Sequence, residues 1–113
     1  LSDLASELSG SHAPATEIYT GDRLAMAQAQ HGSAPDIAGQ DIANPASLIG
    51  SAGMLLEWLG ERRHRPELAE AGARVLAALD RTIANPDTRT RDLGGHLGTH
   101  AFAEAVALQA GQA

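Results

Sequence analysis

The sequence predicts an α/β fold with two strands, about four helices and an incomplete sheet. Three observations predict it. Residues 15–20 and 23–30 carry strand-forming patterns close together. Later stretches repeat apolar residues at helical spacing. Two strands alone make a poor sheet, so their neighbours are expected in a longer parent polypeptide.

Leu1, Leu4, Ala5 and Leu8 recur at helical spacing, so residues 1–9 read as a helix or the end of one, stopped by Gly10. Residues 15–20 (Ala-Thr-Glu-Ile-Tyr-Thr) favour a strand, and Gly21-Asp22 a turn. Over 23–30, Ala25, Ala27 and Ala29 share one face and Leu24, Met26, Gln28 and Gln30 the other, which suggests a second strand. His31 to Ala43 contains Gly, Ser, Pro and Asp without helical period and reads as a loop. Asn44-Pro45 then starts a helix, with Asn as N-cap and Pro at the first helical position. Leu48, Ile49, Ala52, Leu55, Leu56 and Leu59 form its apolar stripe, and Gly60 ends it. Pro66 opens the next helix, Leu68, Ala71, Val75, Leu76, Leu79 and Ile83 continue the period, and Asn85-Pro86 closes it. Residues 86–98 form a second loop. Thr99 caps a last helix through about Gln109, with Phe102, Ala105 and Val106 inward.

Only Tyr19, Trp58 and Phe102 are aromatic, so the core is expected from Ala, Leu, Ile and Val. The net charge of −6 argues against nucleic acid, whose phosphates need a basic face. The basic cluster Arg62, Arg63, His64 and Arg65 falls between two helices and reads as a solvated turn. Without cysteine there is neither a disulfide framework nor a thiolate zinc site, which fits a cytoplasmic location. No apolar run approaches the ~20 residues of a membrane span, so no membrane partner is expected. Leu1 sits inside an apolar helical pattern, so the chain is expected to be one segment of a longer protein: 1–9 the end of a helix, 10–113 the remainder.

The informative stretch runs from His31 to Pro45. Small residues there let backbone approach a ligand closely. Pro35 stiffens the loop. Asp36 is an acceptor suited to a ribose diol, and its charge would repel a 2′-phosphate, favouring NAD over NADP. His31 offers a ring that can stack or hydrogen-bond. Asn44 has an amide able to read a base edge unless it is used in capping. His12, His64, His96 and His100 lack metal-ligand spacing and read as surface residues. Arg91 and Asp92 read as an ordinary loop salt pair, and Gly50 and Gly53 as positions of close packing.

This stretch resembles the adenosine-binding loop of the isocitrate/isopropylmalate (β-decarboxylating, tartrate-type) dehydrogenase family. The family pattern is His-Gly-(Ser/Thr)-Ala-Pro, then Asp-Ile in NAD-using members, Ala-Gly, and Ala-Asn-Pro; His31 to Ala34, Pro35, Asp36-Ile37, Ala38-Gly39 and Ala43-Asn44-Pro45 match it. Leu1 to Ala5 is similar to the family's metal-binding segment. Arg89 to Gly95 and Gly98-Thr99 are similar to its C-terminal end. The resemblance implies the C-terminal portion of an isopropylmalate-dehydrogenase-like fold. It implies that His31, Gly32, Ser33 and Ala34 line the adenosine half of NAD, that Asp36 binds ribose beside Ile37, and that Asn44 meets adenine. Asp3 matches the second carboxylate of an i,i+4 pair that holds Mg²⁺ or Mn²⁺.

The activity implied is NAD-dependent oxidative decarboxylation of a 2-hydroxy acid of the 3-isopropylmalate, isocitrate or tartrate class, by a full-length homodimer. The family's catalytic lysine has no counterpart, since the chain contains no lysine, and Tyr19 is not at the family's tyrosine position. No complete active site is therefore expected from these residues alone. Gln28 stands where the family commonly carries a glutamate. The rival expectation is a non-catalytic nucleotide-binding or regulatory module of the same fold.

Overall fold

A computed structural model describes residues 16–21, 23–29, 32 and 34–111. The helix expected over 1–9 lies outside the described residues. The rest is a mixed α/β arrangement of one antiparallel hairpin and three helices, as the patterning implied.

Strand β1 (Thr16–Thr20) pairs with β2 (Ala25–Ala29), with Ile18 opposite Ala27 and Tyr19 opposite Met26. The second strand begins at Ala25 rather than residue 23 because the turn takes up the preceding residues: the Gly21 N–H donates to the Leu24 carbonyl at 2.8 Å. Ala25, Ala27 and Ala29 are half-buried while Met26 and Gln28 are exposed. The alanine face is thus the inner one, and its short side chains let a helix lie close.

That helix is α1 (Ala46–Arg62), which packs on the hairpin and on α2 (Pro66–Ala84); α3 (Thr99–Gly111) packs on α2. Ser51 of α1 is fully buried and its hydroxyl donates to the Gln28 carbonyl at 2.7 Å, tying α1 to β2. Two expectations for α1 fail. The helix does not stop at Gly60 but runs through it to Arg62. Gly60 serves close approach instead: a Cβ there would lie 2.3 Å from the Ala69 amide nitrogen. Nor is the leucine stripe the most buried face, although its Ile49, Leu55, Leu56 and Leu59 are half-buried. Ala46, Ser47, Gly50, Ser51, Gly53 and Gly60 are buried, whereas Leu48 and Ala52 are exposed. Periodicity located an apolar stripe, but small residues permit the tighter packing. At Gly72 of α2 a Cβ would sit 2.5 Å from the Gly53 carbonyl oxygen, so these helices meet nearly backbone to backbone.

The core clusters Ala46, Ala78, Leu79, Ile83, Phe102 and Val106, with Ile49, Leu93, Leu97 and Ala110 packed around it. It is mostly aliphatic, as expected, but centres on the fully buried Phe102. Among the described residues no helix is long and apolar enough to cross a membrane.

Candidate functional site: the loop from Ala34 to Asn44 and its supports

The loop between β2 and α1 is not wholly irregular, as the sequence suggested. Pro35–Ile37 forms a 3₁₀ turn, entered through Ala34 with φ 46° and left through Ala38 in extended conformation. A positive φ is strained for alanine, at about 1–2 kcal/mol, so surrounding contacts must hold it. Gly39 follows with φ 79°, which glycine adopts freely. The Gln40 side-chain amide donates to the Asp36 carbonyl at 3.0 Å and closes the turn.

This geometry sets Asp36 on the outside of the loop. Its carboxylate is exposed and makes no hydrogen bond or ion pair with the described residues. Beside it lies an open concavity of about 400 Å³, walled by Ala34, Ile37, Ala38 and Gly39 on one side and by Asp41, Ala43 and Thr99 on the other. That volume falls within the range of small-ligand sites, roughly 300–1,000 Å³. An acceptor with no partner among the described residues, next to a hollow lined by alanines, Gly39 and Ile37 with Asp41 and Thr99, suits a polar sugar followed by a flat base. The residues present therefore fit the adenosine half of a dinucleotide.

The far wall is pinned by hydrogen bonds that local sequence patterns do not reveal. Asp41 has φ 57° and caps α3: its Oδ1 accepts from the His100 backbone N–H at 2.9 Å, and its carbonyl from Thr99 N–H at 3.0 Å. Thr99, expected as the cap, instead begins the helix and donates its hydroxyl to the Ala43 carbonyl at 2.5 Å. Gly98 has no room for a Cβ, which would sit 2.5 Å from the Asp41 carbonyl oxygen.

Asn44 stands at the other end of the loop. Helix α1 begins one residue later than expected, with Pro45 as the flanking residue, yet the Asn44 side chain still serves the helix end: Oδ1 accepts from Ala46 N–H at 2.9 Å. Its Nδ2 donates to Asp92 Oδ2 at 3.0 Å. Asp92 therefore forms no salt pair with Arg91; its other oxygen accepts from the fully buried Thr90 hydroxyl at 2.5 Å. The segment carrying Asp92 is itself structured by 3₁₀ turns at Pro86–Thr88 and Arg91–Leu93 and by a bridge between Thr90 and Leu97. Arg89 locks this segment to the C-terminus of α2, donating from Nε to the Ile83 carbonyl at 2.6 Å and from a terminal nitrogen to Ala84 at 3.3 Å.

Of the sequence-derived site residues, the structure brings Ala34 and Ile37 to the hollow; Asp36, exposed between them in sequence, and Asn44, at the loop's end, are not in its lining. Gly32 is exposed ahead of it. His31, Ser33 and the metal candidate Asp3 lie outside the described residues. Among the described residues no three His, Asp or Glu side chains converge into a metal site. Asp41 and Asp92 were missed as supports because each acts across a long sequence separation, and Thr90 because it matters only through Asp92.

The family model of isocitrate/isopropylmalate dehydrogenases matches residues 1–106. The chain is 47% identical over 106 residues to an isocitrate/homoisocitrate dehydrogenase of Thermus thermophilus, covering 94% of the chain and 29% of that protein. A 3-isopropylmalate dehydrogenase of Deinococcus radiodurans is 44% identical over 106 residues, 94% of the chain and 28% of the relative. An isocitrate dehydrogenase (NADP) of Rickettsia bellii is 40% identical over 114 residues, covering 99% of the chain and 23% of its own length. The chain thus spans less than a third of each of these relatives.

Proposed function

The chain belongs to the isocitrate/isopropylmalate dehydrogenase family, and on that premise we propose that it supplies the adenosine-binding wall of an NAD-dependent enzyme that oxidatively decarboxylates a 2-hydroxy acid. The substrate is of the 3-isopropylmalate, isocitrate or tartrate class. The observation that carries the cofactor reading is the exposed carboxylate of Asp36, which has no partner among the described residues and adjoins Ile37 of the hollow's lining in sequence. A carboxylate accepts both hydroxyls of an unmodified ribose and repels a 2′-phosphate. The Rickettsia relative is named for NADP, so the cofactor choice varies among relatives, and the charge of Asp36 is the feature of this chain that favours NAD.

NAD would supply the hydride acceptor for the substrate, and this chain would bind and orient the cofactor's adenosine end. His31, Gly32, Ser33 and Ala34 would lie along it, Asp36 would hold the ribose against Ile37, and Asn44 would face the base. Asp3 would give one oxygen to Mg²⁺ or Mn²⁺, a hard cation suited to carboxylate. The described residues do not build a metal centre by themselves, and the reading assigns the metal nothing beyond that oxygen. The proposal includes a homodimeric full-length protein in the cytoplasm, supported by the family resemblance and the cysteine-free composition.

Titration of the full chain with NAD and NADP tests the reading. NAD should bind the more tightly, and Asp36→Asn should shrink that preference about tenfold or more, since hydrogen bonds to a charged group contribute roughly 1.5–3 kcal/mol. Equal binding of the two cofactors, or an unchanged ratio in the variant, would remove Asp36 from the role. A second reading, a non-catalytic nucleotide-binding module, is favoured by Gln28 at the position where the family commonly carries a glutamate. Nucleotide binding by the full-length parent protein, without turnover of any of the three acids, would select it; turnover of one of them would select the dehydrogenase.

A further inference from the structure

We infer that Asp92 is a positioning residue for nucleotide binding: it fixes which way the Asn44 amide points, and so sets which base the loop accepts. The inference rests on the proposed adenosine site. A side-chain amide has two N–H donors and two lone pairs on its oxygen. Unrestrained, it can flip and exchange its ends. Here both ends are assigned. Oδ1 accepts from Ala46 N–H, which only the oxygen can do, and Nδ2 donates to Asp92 Oδ2, which only the nitrogen can do.

One donor and one acceptor of Asn44 then remain unpaired among the described residues. Adenine presents an amino donor beside a ring-nitrogen acceptor, the complement of that pair. Hypoxanthine carries a carbonyl oxygen in place of the amino group and would set acceptor against acceptor. Asp92 in turn cannot swing away. Its second oxygen is held by Thr90, which is fully buried, and the Thr90 carbonyl accepts from the Leu93 and Gly95 N–H groups at 3.1 and 2.9 Å. The chain of contacts runs from the end of α2 through Arg89, Thr90 and Asp92 to Asn44 and the start of α1. A group held in its bound orientation before the ligand arrives loses less freedom on binding.

The test measures binding of NAD and of nicotinamide hypoxanthine dinucleotide to the full chain and three variants, with thermal melting of each. Asp92→Leu removes both acceptors. It should weaken NAD binding about tenfold, as expected for one or two hydrogen bonds, with little effect on the hypoxanthine analogue, so the preference collapses. Asp92→Asn should keep most of the preference, because its oxygen can still face Asn44 while its amide turns to the Thr90 hydroxyl. The exchange Asn44→Asp with Asp92→Asn should restore the melting temperature, since the contacts are remade with donor and acceptor reversed, but not the preference for adenine. A folded Asp92→Leu with unchanged preference overturns the inference. So does an Asp92→Asn that loses the preference fully, or, should Asp92→Leu not fold, an exchange variant that keeps it. Absence of NAD binding in the parent chain overturns the adenosine site and this inference together. NAD binding with an unaltered base preference in all variants overturns this inference alone.

Discussion

A methyl group added at Gly60 would sit 2.3 Å from the Ala69 amide nitrogen and 2.7 Å from its Cα. Backbone cannot yield as a side-chain tip does, so Gly60→Ala must push α1 and α2 apart. Overpacking of this kind costs about 1–3 kcal/mol. The helix-propensity gain of alanine over glycine, about 1 kcal/mol, offsets only part. Gly53→Ala is the contrast: its nearest neighbour is the Leu76 side chain at 3.0 Å, which can shift, so the propensity gain should roughly cancel the strain. Urea titration of the full chain should show a lowered midpoint for the first variant and little change for the second; a raised midpoint for Gly60→Ala would contradict the packing described. The sequence alone reads Gly60 as a stop, because glycine after an apolar period most often ends a helix. Nothing local distinguishes a terminating glycine from one that admits a neighbouring helix.

Each helix start is held differently. Helix α3 is capped from outside its own segment, by Asp41 in the loop. Asp41→Ala should lower stability by about 0.5–2 kcal/mol and weaken NAD binding as well, because the same side chain holds the hollow's far wall. Asp41→Asn keeps an acceptor and tolerates positive φ, so both losses should be small. Chemical denaturation with cofactor titration separates them; an Asp41→Ala that melts early yet binds NAD normally would detach the wall from the cap. Helix α2 starts with Pro66, and Glu67 in its first turn accepts from Arg65 Nε. That hydrogen bond, with the guanidinium charge, holds the Glu67 carboxyl below its ordinary value. A depressed carboxylate stabilises the fold above its unfolded-state pKa, and the contribution is lost as pH falls through the lower folded value. Glu67→Gln should therefore flatten the acid limb of a stability-against-pH curve slightly, the pair being solvent-exposed. The extent of α2 was readable because proline and asparagine act locally, and the existence of the hairpin, though not where its second strand begins, because the alanines alternate. The Asp41 cap was not, because its partner lies 59 residues away.

Taken whole, the described residues leave several large apolar side chains exposed. Tyr19, Met26 and Leu24 are exposed on the hairpin and Leu48 on α1, and β1 has no strand neighbour but β2 among the described residues. A two-stranded sheet is marginal in water, and a bare edge invites pairing. The isolated 113-residue segment should therefore self-associate as concentration rises, and Met26→Lys should reduce this; light scattering after size exclusion would show it, and a monomer at all concentrations would mean the face is harmless. At this scale the sequence was informative about the loop's residues, since His31 to Pro45 follows a contiguous pattern, and silent about what braces them, since Asp41, Thr90 and Asp92 gain their roles only when distant segments meet. The seam of Gly53, Gly60, Ala69 and Gly72 has a consequence of that distant kind. It works as a spacer gauge: by setting how near two rods lie, it sets how far the Arg89 end of one stands from the Asn44 end of the other. Thicken the gauge by a single carbon and the tether across that gap must stretch or let go, so a cofactor assay could register a mutation made in a place no nucleotide ever visits.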